Sequence, residues 1–351
     1  MPTAASGIHP RALVFPADHG AHPDTRIEWW YVTGTVTTDA SVPDEGSASA
    51  DRCGFQITLF RSRTDVAADQ PSRFAARQLL FAHAALTDLK RGRLQHDQRI
   101  ARSGFGLAEA ATSDTAVSLR DWGLIREERG GGSRYRARAS SDSAGFAFDF
   151  SLATTQPLLL QGDAGYSRKG PQPEQASHYY SQPQLAVAGT LKRDGIARPV
   201  RGTAWLDHEW SDSLLASDAV GWDWIGMNLA DGSALTAFQL RNAEGGTVYT
   251  GGSFRAPGGA TRNFTADEVR FVPGRAWISP LSRARYPVEW AIATPVGRYR
   301  VETLLDAQEL DSRASTGAIY WEGLSELQDE AGRRVGRGYL EMTGYAARLS
   351  L

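Results

Sequence analysis

The side chains best suited to catalysis are concentrated in two neighbouring segments, residues 202–211 and 221–224. Together these segments hold four tryptophans, two aspartates, one histidine and one glutamate. A carboxyl group buried against aromatic rings has a raised pKa and can donate a proton near neutral pH. Aromatic faces can also stabilise a developing carbocation. The two segments therefore fit the wall of a cavity that holds an apolar ligand and supplies an acid.

The same residues also fit a purely structural role. Tryptophans on barrel strands usually pack in a core, with the indole N–H bonded to a backbone carbonyl. In that case Asp207 and Glu209 would pair with basic residues such as Arg201, and His208 would be a hydrogen-bonded histidine of a linker. The residue types alone leave both interpretations open.

Other kinds of chemistry find little support in the sequence. His19 and His22 lie three residues apart near Asp18 and Asp24, a pattern better explained by turn and cap hydrogen bonds than by a metal. We therefore expect no metal site. The sequence has no Gly-x-Ser-x-Gly elbow and no Walker loop, and the glycines at 130–132 lack the strand-to-helix context of a phosphate site.

Charge and composition exclude several classes of protein. With 38 basic and 40 acidic residues, the chain lacks the basic excess typical of nucleic-acid binding. The single cysteine, Cys53, excludes an internal disulfide framework. No apolar run reaches about 18 residues, so we expect no transmembrane helix. Because the first residues do not resemble a secretory signal, we expect a cytoplasmic protein if Met1 is the native start, and a periplasmic or secreted one if a leader was removed.

The segments that must position these side chains are short and alternate apolar with polar residues. Glycine is frequent (36 residues) and aromatic residues make up 10% of the chain, a combination typical of antiparallel β structure. Predicted strands include 185–191 and 203–206. Two more, 224–229 and 235–240, flank the turn at 231–232, where Asp-Gly favours a hairpin.

The spacing of the predicted strands indicates barrels or sandwiches rather than a parallel sheet. A length of 351 residues suggests two domains, at about 150 residues for each. Segment 211–219 fits a connection between two β units. We therefore predict an all-β protein with domains at 1–212 and 213–351, each a β-barrel.

Several further motifs, taken together with the tryptophan-rich segments, resemble one known family. The chain is similar over nearly its whole length to the carotenoid 1,2-hydratase-like family, also called the AttH-like family. The motifs are FPADHGAHP at 15–23, EWWYVTG at 28–34, FAHAALTD at 81–88, SHYYS at 177–181, WLDHEW at 205–210, GWDW at 221–224, YWEG at 320–323 and GYLEMTGY at 338–345.

This resemblance implies two lipocalin-like antiparallel β-barrel domains packed together, with the ligand at or near their interface. It also implies a small hydrophobic substrate, a terpenoid or polyene, and chemistry without a cofactor. Members of the family hydrate the terminal double bond of acyclic carotenoids, and similar two-barrel proteins act as cyclases or Diels–Alderases. Gly221 stands where those hydratases carry tyrosine, so we leave the substrate at the level of an isoprenoid or polyene.

The resemblance also suggests roles for single residues. Its His-x-Trp pair and downstream aspartate match His208, Trp210 and Asp223. We expect Asp223 to protonate an alkene and His208 or Glu209 to orient the attacking water. The expected ligand-binding residues are Trp30, Tyr179, Tyr180, Trp210, Trp222 and Trp224. The alternatives are a lipid or terpenoid carrier without catalysis, which needs only the apolar walls, and a pericyclase of the Diels–Alderase type.

Overall fold

The protein is built almost entirely of antiparallel β-strands. The computed structural model describes residues 8–38, 52–66, 70–72, 74–213 and 215–349. Within these ranges the structure contains no helix long and apolar enough to cross a lipid bilayer. A single 3-10 turn, Ala17–His19, precedes the first strand. The antiparallel all-β fold predicted from the sequence is confirmed.

The first half of the chain forms one sheet of thirteen strands, here called the first sheet. Its strands are β1 (Ile27–Thr37), β2 (Arg52–Arg63), β3 (Gln78–Asp88), β4 (Arg93–Arg102), β5 (Ala108–Ala110), β6 (Ala116–Leu119), β7 (Trp122–Arg129), β8 (Gly132–Ser141), β9 (Phe146–Ala153), β10 (Leu159–Leu160), β11 (Tyr166–Arg168), β12 (Ala176–Arg193) and β13 (Ile196–Ser211). The spatial order is β4-β3-β2-β1-β13-β12-β9-β8-β7-β6-β5, and β10 and β11 pair with β12. Residues of β3 and β4 approach β6 across the barrel, so the sheet is nearly closed around an apolar core.

The second half forms a ten-stranded sheet, here called the second sheet, and a separate two-stranded ribbon. The strands are β14 (Gly221–Leu229), β15 (Ala234–Arg241), β16 (Thr247–Arg255), β17 (Thr261–Phe264), β18 (Arg270–Pro273), β19 (Ala276–Ile278), β20 (Arg285–Pro287), β21 (Glu289–Thr294), β22 (Gly297–Thr303), β23 (Glu309–Ser312), β24 (Ala318–Gln328) and β25 (Arg334–Met342). Its order is β17-β16-β15-β14-β25-β24-β22-β21-β18, with β23 on β24; β19 and β20 form the ribbon. Its core includes Tyr286, Trp290 and Trp321.

Local sequence signals explain several of these elements. The Asp231-Gly232 turn joins β14 to β15, and Gly232 has the positive φ of 88° that this turn requires. The strands predicted at 185–191 and 203–206 are much longer in the structure. They form the hairpin β12–β13, whose turn residues Asp194 and Gly195 both have positive φ.

The two sheets pack against each other along β1 and β13 of the first and β14 and β25 of the second. Close approach requires glycine at Gly54, where an added Cβ would lie 2.6 Å from the Tyr339 hydroxyl and 3.0 Å from Leu324 Cβ. The first sheet ends at Ser211 and the second begins at Gly221. The domain boundary predicted at 212/213 falls within this connection, and the division of the chain into independent domains stays a prediction.

Candidate functional site

A cavity lies between the two sheets, outside the apolar core of each. It encloses about 890 Å³ of empty space, part of which is open to solvent. From residue 27 to residue 213 the lining residues are Trp29, Tyr31, Thr58, Phe60, Lys169, Ser177, Tyr179, Asp207, Glu209, Ser211 and Ser213. From the second sheet they are Trp222, Trp224, Phe238, Leu240, Tyr320, Glu322 and Glu341. Aromatic walls with a few polar groups are typical of a site for an apolar ligand.

Strand alternation decides which side chains reach the cavity. On β13, Asp207, Glu209 and Ser211 face the second sheet, whereas His208 and Trp210 belong to the interior of the first barrel. Neighbouring strands place partners beside them, because Tyr31 of β1 is directly opposite Asp207 in the ladder.

Asp207 is buried and accepts three hydrogen bonds. The donors are the Tyr179 hydroxyl (2.8 Å), Ser181 Oγ (2.5 Å) and Trp205 Nε1 (2.7 Å). Trp224 Nε1 donates to the Tyr179 hydroxyl at 3.1 Å, which directs the phenol proton to Asp207. Burial raises the pKa of Asp207 to about 7, although the three donors favour its charged form.

Glu341 and Glu322 occupy directly opposite positions on β25 and β24. Burial raises the pKa of Glu341 to about 8, a hydrogen bond from Trp222 opposes this shift, and the nearby charges of Asp207 and Glu209 add to it. Burial, followed by the charge of Glu341, raises the pKa of Glu322 well above its ordinary value. Glu341 is therefore mainly protonated at neutral pH, and the shift of Glu322 favours its protonated form in the same way. A protonated carboxyl group can donate a hydrogen bond.

The fourth acid of the cavity, Glu209, is paired with a cation. Lys169 Nζ lies 3.0 Å from its carboxylate, and Ser177 Oγ donates to it at 2.5 Å. The ammonium group also lies 4.6 Å and 4.4 Å from the ring centres of Tyr179 and Phe238. Among the described lining residues Lys169 is the one basic side chain, and its charge is already paired.

Four of the residues predicted from the sequence meet in this cavity: Glu209, Tyr179, Trp222 and Trp224. Asp223 does not. It points to the opposite face of β14, where its carboxylate accepts hydrogen bonds from Arg241 Nε (2.7 Å), Gln239 Nε2 (2.7 Å) and the Tyr345 hydroxyl (2.9 Å). Burial raises the pKa of Asp223 and the charge of Arg241 opposes that shift. The structure thus places the expected acid in an internal ion pair, outside the cavity.

The other predicted residues, His208, Trp210, Trp30 and Tyr180, lie inside the first barrel. The His208 ring stacks on Trp30 at 4.6 Å, and its Nδ1 is 3.1 Å from the Tyr180 hydroxyl. None of these four lines the cavity. We therefore assign them to the packing of the first barrel, because alternate side chains of β1, β12 and β13 point into its interior and these four are among them.

A hydrogen-bond network centred on Glu28 holds His208 inside the first barrel. Its carboxylate is bonded to His22 Nδ1 (2.7 Å), His208 Nε2 (2.9 Å) and Arg61 Nε (2.7 Å). His22 Nε2 is bonded in turn to Asp18 at 2.9 Å. Burial lowers the pKa of His22, but hydrogen bonds to Asp18 and Glu28 more than offset this effect, so the pKa is raised.

The same network offers a grouping of possible metal ligands. His22, Glu28 and His208 present ligand atoms within 4.8 Å of one another. His22 Nδ1 and His208 Nε2 are both hydrogen-bonded to Glu28 Oε1. Arg61 Nε donates a hydrogen bond to the other carboxylate oxygen, Glu28 Oε2. These hydrogen bonds satisfy all three side chains without an ion.

Of the four acids that line the cavity, sequence reasoning predicted Glu209 and missed Asp207, Glu322 and Glu341. Asp207 lies inside the tryptophan-rich segment. Trp205, Asp207 and Glu209 are spaced two residues apart, which predicts that they share one face of a strand. Glu322 and Glu341 carry no comparable local signal, because only the pairing of β14, β25 and β24 brings them beside the tryptophans.

Comparison with known proteins agrees with this architecture. A model of the AttH-like family matches residues 7–345. The crystal structure of a candidate AttH protein from Nitrosomonas europaea is 47% identical, covers 96% of this chain and 98% of its own, and superposes with a TM-score of 0.86. No curated protein matches the sequence.

More distant structures share the fold alone. Kievitone hydratase from Nectria haematococca is 15% identical, with a TM-score of 0.69 and coverage of 98% of this chain and 94% of its own. The protein CghA is 11% identical, with a TM-score of 0.54 and coverage of 98% and 96%. The lipocalin-like architecture predicted from the sequence is thereby confirmed.

Proposed function

Because the chain belongs to the AttH-like family, we propose that it catalyses acid-assisted hydration or cyclisation of an apolar alkene, an isoprenoid or polyene. The observation that carries the proposal is the pair of carboxyl groups, Glu341 and Asp207, on opposite walls of one aromatic cavity. Their surroundings suit one to act as an acid and the other as a base.

Glu341 is the proton donor in this mechanism. Its raised pKa, about 8, keeps it mainly protonated at neutral pH. It lies beside Trp224 in the β14–β25 ladder and is hydrogen-bonded by Trp222. Transfer of its proton to one alkene carbon leaves a glutamate carboxylate and a carbocation on the other carbon. The aromatic faces of Trp222, Trp224 and Phe238 stabilise that cation.

Asp207 accepts the proton of the attacking water. Its three hydrogen-bond donors favour the carboxylate form at a pH where Glu341 remains protonated. As the water oxygen bonds to the cation, one water proton passes to Asp207 and the product is an alcohol. Exchange with solvent returns the proton to Glu341. In a cyclisation, a second alkene of the substrate attacks the cation in place of water. The new cation formed on that alkene then loses a proton to Asp207, so the product is a cyclic isomer of the substrate.

The neighbours of known name support hydration as the reaction class. Kievitone hydratase shares this fold, and its name records the addition of water. CghA, solved also with Sch210972, shows that the fold holds a bound small molecule. The carboxyl groups and aromatic walls of this chain provide what such a reaction needs.

The proposal is tested by mass spectrometry of products from wild-type protein and the Glu341→Gln variant. Each is incubated with a panel of acyclic isoprenoids and with a lipid extract of the native host. We expect wild type to yield a product heavier by about 18 mass units, or an isomer of unchanged mass, and Glu341→Gln to lower the rate about 10²–10⁴-fold.

Glu330→Gln is the matched control, because it makes the same chemical change at an exposed position outside the cavity. It should react at the wild-type rate. Recovery of every compound unchanged from wild type, with bound lipid co-purifying, would instead identify a carrier. Full activity of a folded Glu341→Gln protein would also contradict the proposed mechanism.

A further inference from the structure

Two buried oxygen atoms in the cavity wall make no well-formed hydrogen bond among the described residues. They are Tyr31 Oη and Glu322 Oε1. The two residues are only 5% and 2% exposed, and both line the cavity. A buried polar atom without a well-formed hydrogen bond is energetically unfavourable, so such an atom in a cavity wall can indicate where a ligand group binds.

The two groups face each other from different sheets. Tyr31 is on β1 and Glu322 on β24, and their side chains are close enough for a weak hydrogen-bond interaction to contribute to both pKa shifts. The two oxygens do not meet the geometry of a well-formed hydrogen bond. The second oxygen of Glu322 accepts a hydrogen bond from Gln56 Nε2 at 2.5 Å. This contact fixes the carboxyl group and leaves Oε1 directed away from Gln56.

The chemistry of this pair favours a ligand group that both donates and accepts hydrogen bonds. The Tyr31 phenol donates, and a protonated Glu322 can donate or accept. A hydroxyl group satisfies both side chains. A hydrocarbon satisfies neither, and it would keep both atoms buried without a partner.

An anionic ligand group is disfavoured in the same cavity. Four acids line it (Asp207, Glu209, Glu322 and Glu341), and a further carboxylate would be repelled by those that are ionised. Lys169, the basic residue of the described lining, is already paired with Glu209 at 3.0 Å.

We propose that the cavity binds the hydroxyl group of a neutral isoprenoid alcohol between Tyr31 and Glu322, and so selects alcohols over hydrocarbons and carboxylates. That the ligand is an isoprenoid rests on the proposed function. That it carries a hydroxyl group follows from the two oxygen atoms of Tyr31 and Glu322. The reacting alkene then lies farther along the chain of the ligand, among the aromatic residues.

Three probes with the same ten-carbon skeleton test the selection: geraniol, myrcene and geranate. Their binding is followed by quenching of tryptophan fluorescence, since Trp29, Trp222 and Trp224 line the cavity. We expect geraniol to bind about tenfold more tightly than myrcene and than geranate. Equal binding of geraniol and myrcene, tighter binding of geranate, or no binding of any probe would overturn the proposal.

The Tyr31→Phe variant removes the phenol oxygen with little change of shape. It should weaken geraniol binding about tenfold and leave myrcene binding within about twofold of wild type. Tyr135→Phe is the matched control, because its hydroxyl is also buried and unpaired but lies outside the cavity. Equal weakening of geraniol and myrcene in Tyr31→Phe would show a packing role and reject the subsite.

The variant Glu341→Gln separates this proposal from the proposed function. It should lose turnover yet keep the preference for geraniol. A wild-type protein that prefers geraniol but converts no isoprenoid rejects the proposed function and supports the subsite. Turnover without any preference for alcohols rejects the subsite and leaves the proposed function in place.

Discussion

At the scale of single residues, the surroundings of a carboxyl group decide its role more than its identity does. Asp207 receives three donated hydrogen bonds and Glu341 receives one, although both are buried. The donors stabilise the charged form of Asp207, so it loses its proton at lower pH than Glu341. Two acids with separated pKa values are what a combined acid and base mechanism requires.

This arrangement predicts a bell-shaped dependence of kcat/KM on pH. Activity should rise as Asp207 loses its proton near pH 7 and fall as Glu341 loses its proton near pH 8. In Tyr179→Phe one donor to Asp207 is lost, so the pKa of Asp207 should increase. The acidic limb of the profile should therefore move to higher pH while the alkaline limb stays in place. An acidic limb that does not move in Tyr179→Phe would exclude Asp207 as the base.

At the scale of elements, one strand serves two separate environments. The alternation of β13 presents Asp207 and Glu209 to the cavity, and His208 and Trp210 to the first barrel. Residues adjacent in sequence therefore have unrelated roles. The hydrogen bond of His208 to Glu28 stabilises the barrel and does not reach the ligand.

A substitution on the inner face of β13 should consequently affect stability rather than binding. His208→Leu leaves Glu28 and Tyr180 each without one hydrogen-bond partner, and should lower the free energy of unfolding by about 1–3 kcal/mol. Chemical denaturation measures this loss. Geraniol affinity of the folded variant should stay within about twofold of wild type. Asp207→Asn, on the outer face, is the comparison, since it should abolish turnover. Lost affinity at unchanged stability in His208→Leu would contradict the assignment.

At the scale of the whole molecule, the cavity exists because two separate sheets approach each other closely. It lies outside the apolar core of each sheet, and its acids come from both sheets. The distance between the sheets is set in part by Gly54, which packs against Leu324 and Tyr339 of the second sheet. The cavity of this protein therefore depends on the packing of the two halves.

Widening this contact should weaken both stability and ligand binding. In Gly54→Ala the new Cβ would lie 2.6 Å from the Tyr339 hydroxyl, and we expect a loss of about 1–3 kcal/mol in the free energy of unfolding. Removal of that hydroxyl in Gly54→Ala/Tyr339→Phe should restore part of the loss. Thermal and denaturant unfolding of the single and double variants measure the coupling between the two positions. Strictly additive effects would show that the two residues do not set the spacing of the sheets.

Local patterns in the sequence identify the kind of protein and the segments that line the cavity. Alternating apolar residues and the Asp231-Gly232 turn predict antiparallel strands, because these signals act between near neighbours in the chain. The tryptophan-rich segments and the motifs around them indicate the family and an aromatic cavity beside carboxyl groups. Glu209, Tyr179, Trp222 and Trp224 could be named without the structure.

Which of the other acids line the cavity depends on the tertiary structure. A shift of one position along a strand turns a side chain to the opposite face, so Asp207 lines the cavity while His208, next in sequence, is enclosed in the barrel. The same parity assigns Asp223 to an ion pair with Arg241. Glu322 and Glu341 lie more than a hundred positions after Asp207 in the sequence. They reach the cavity because β24 and β25 pair with each other and β25 pairs with β14. Such pairing depends on the packing of the whole chain, and local residue patterns do not encode it.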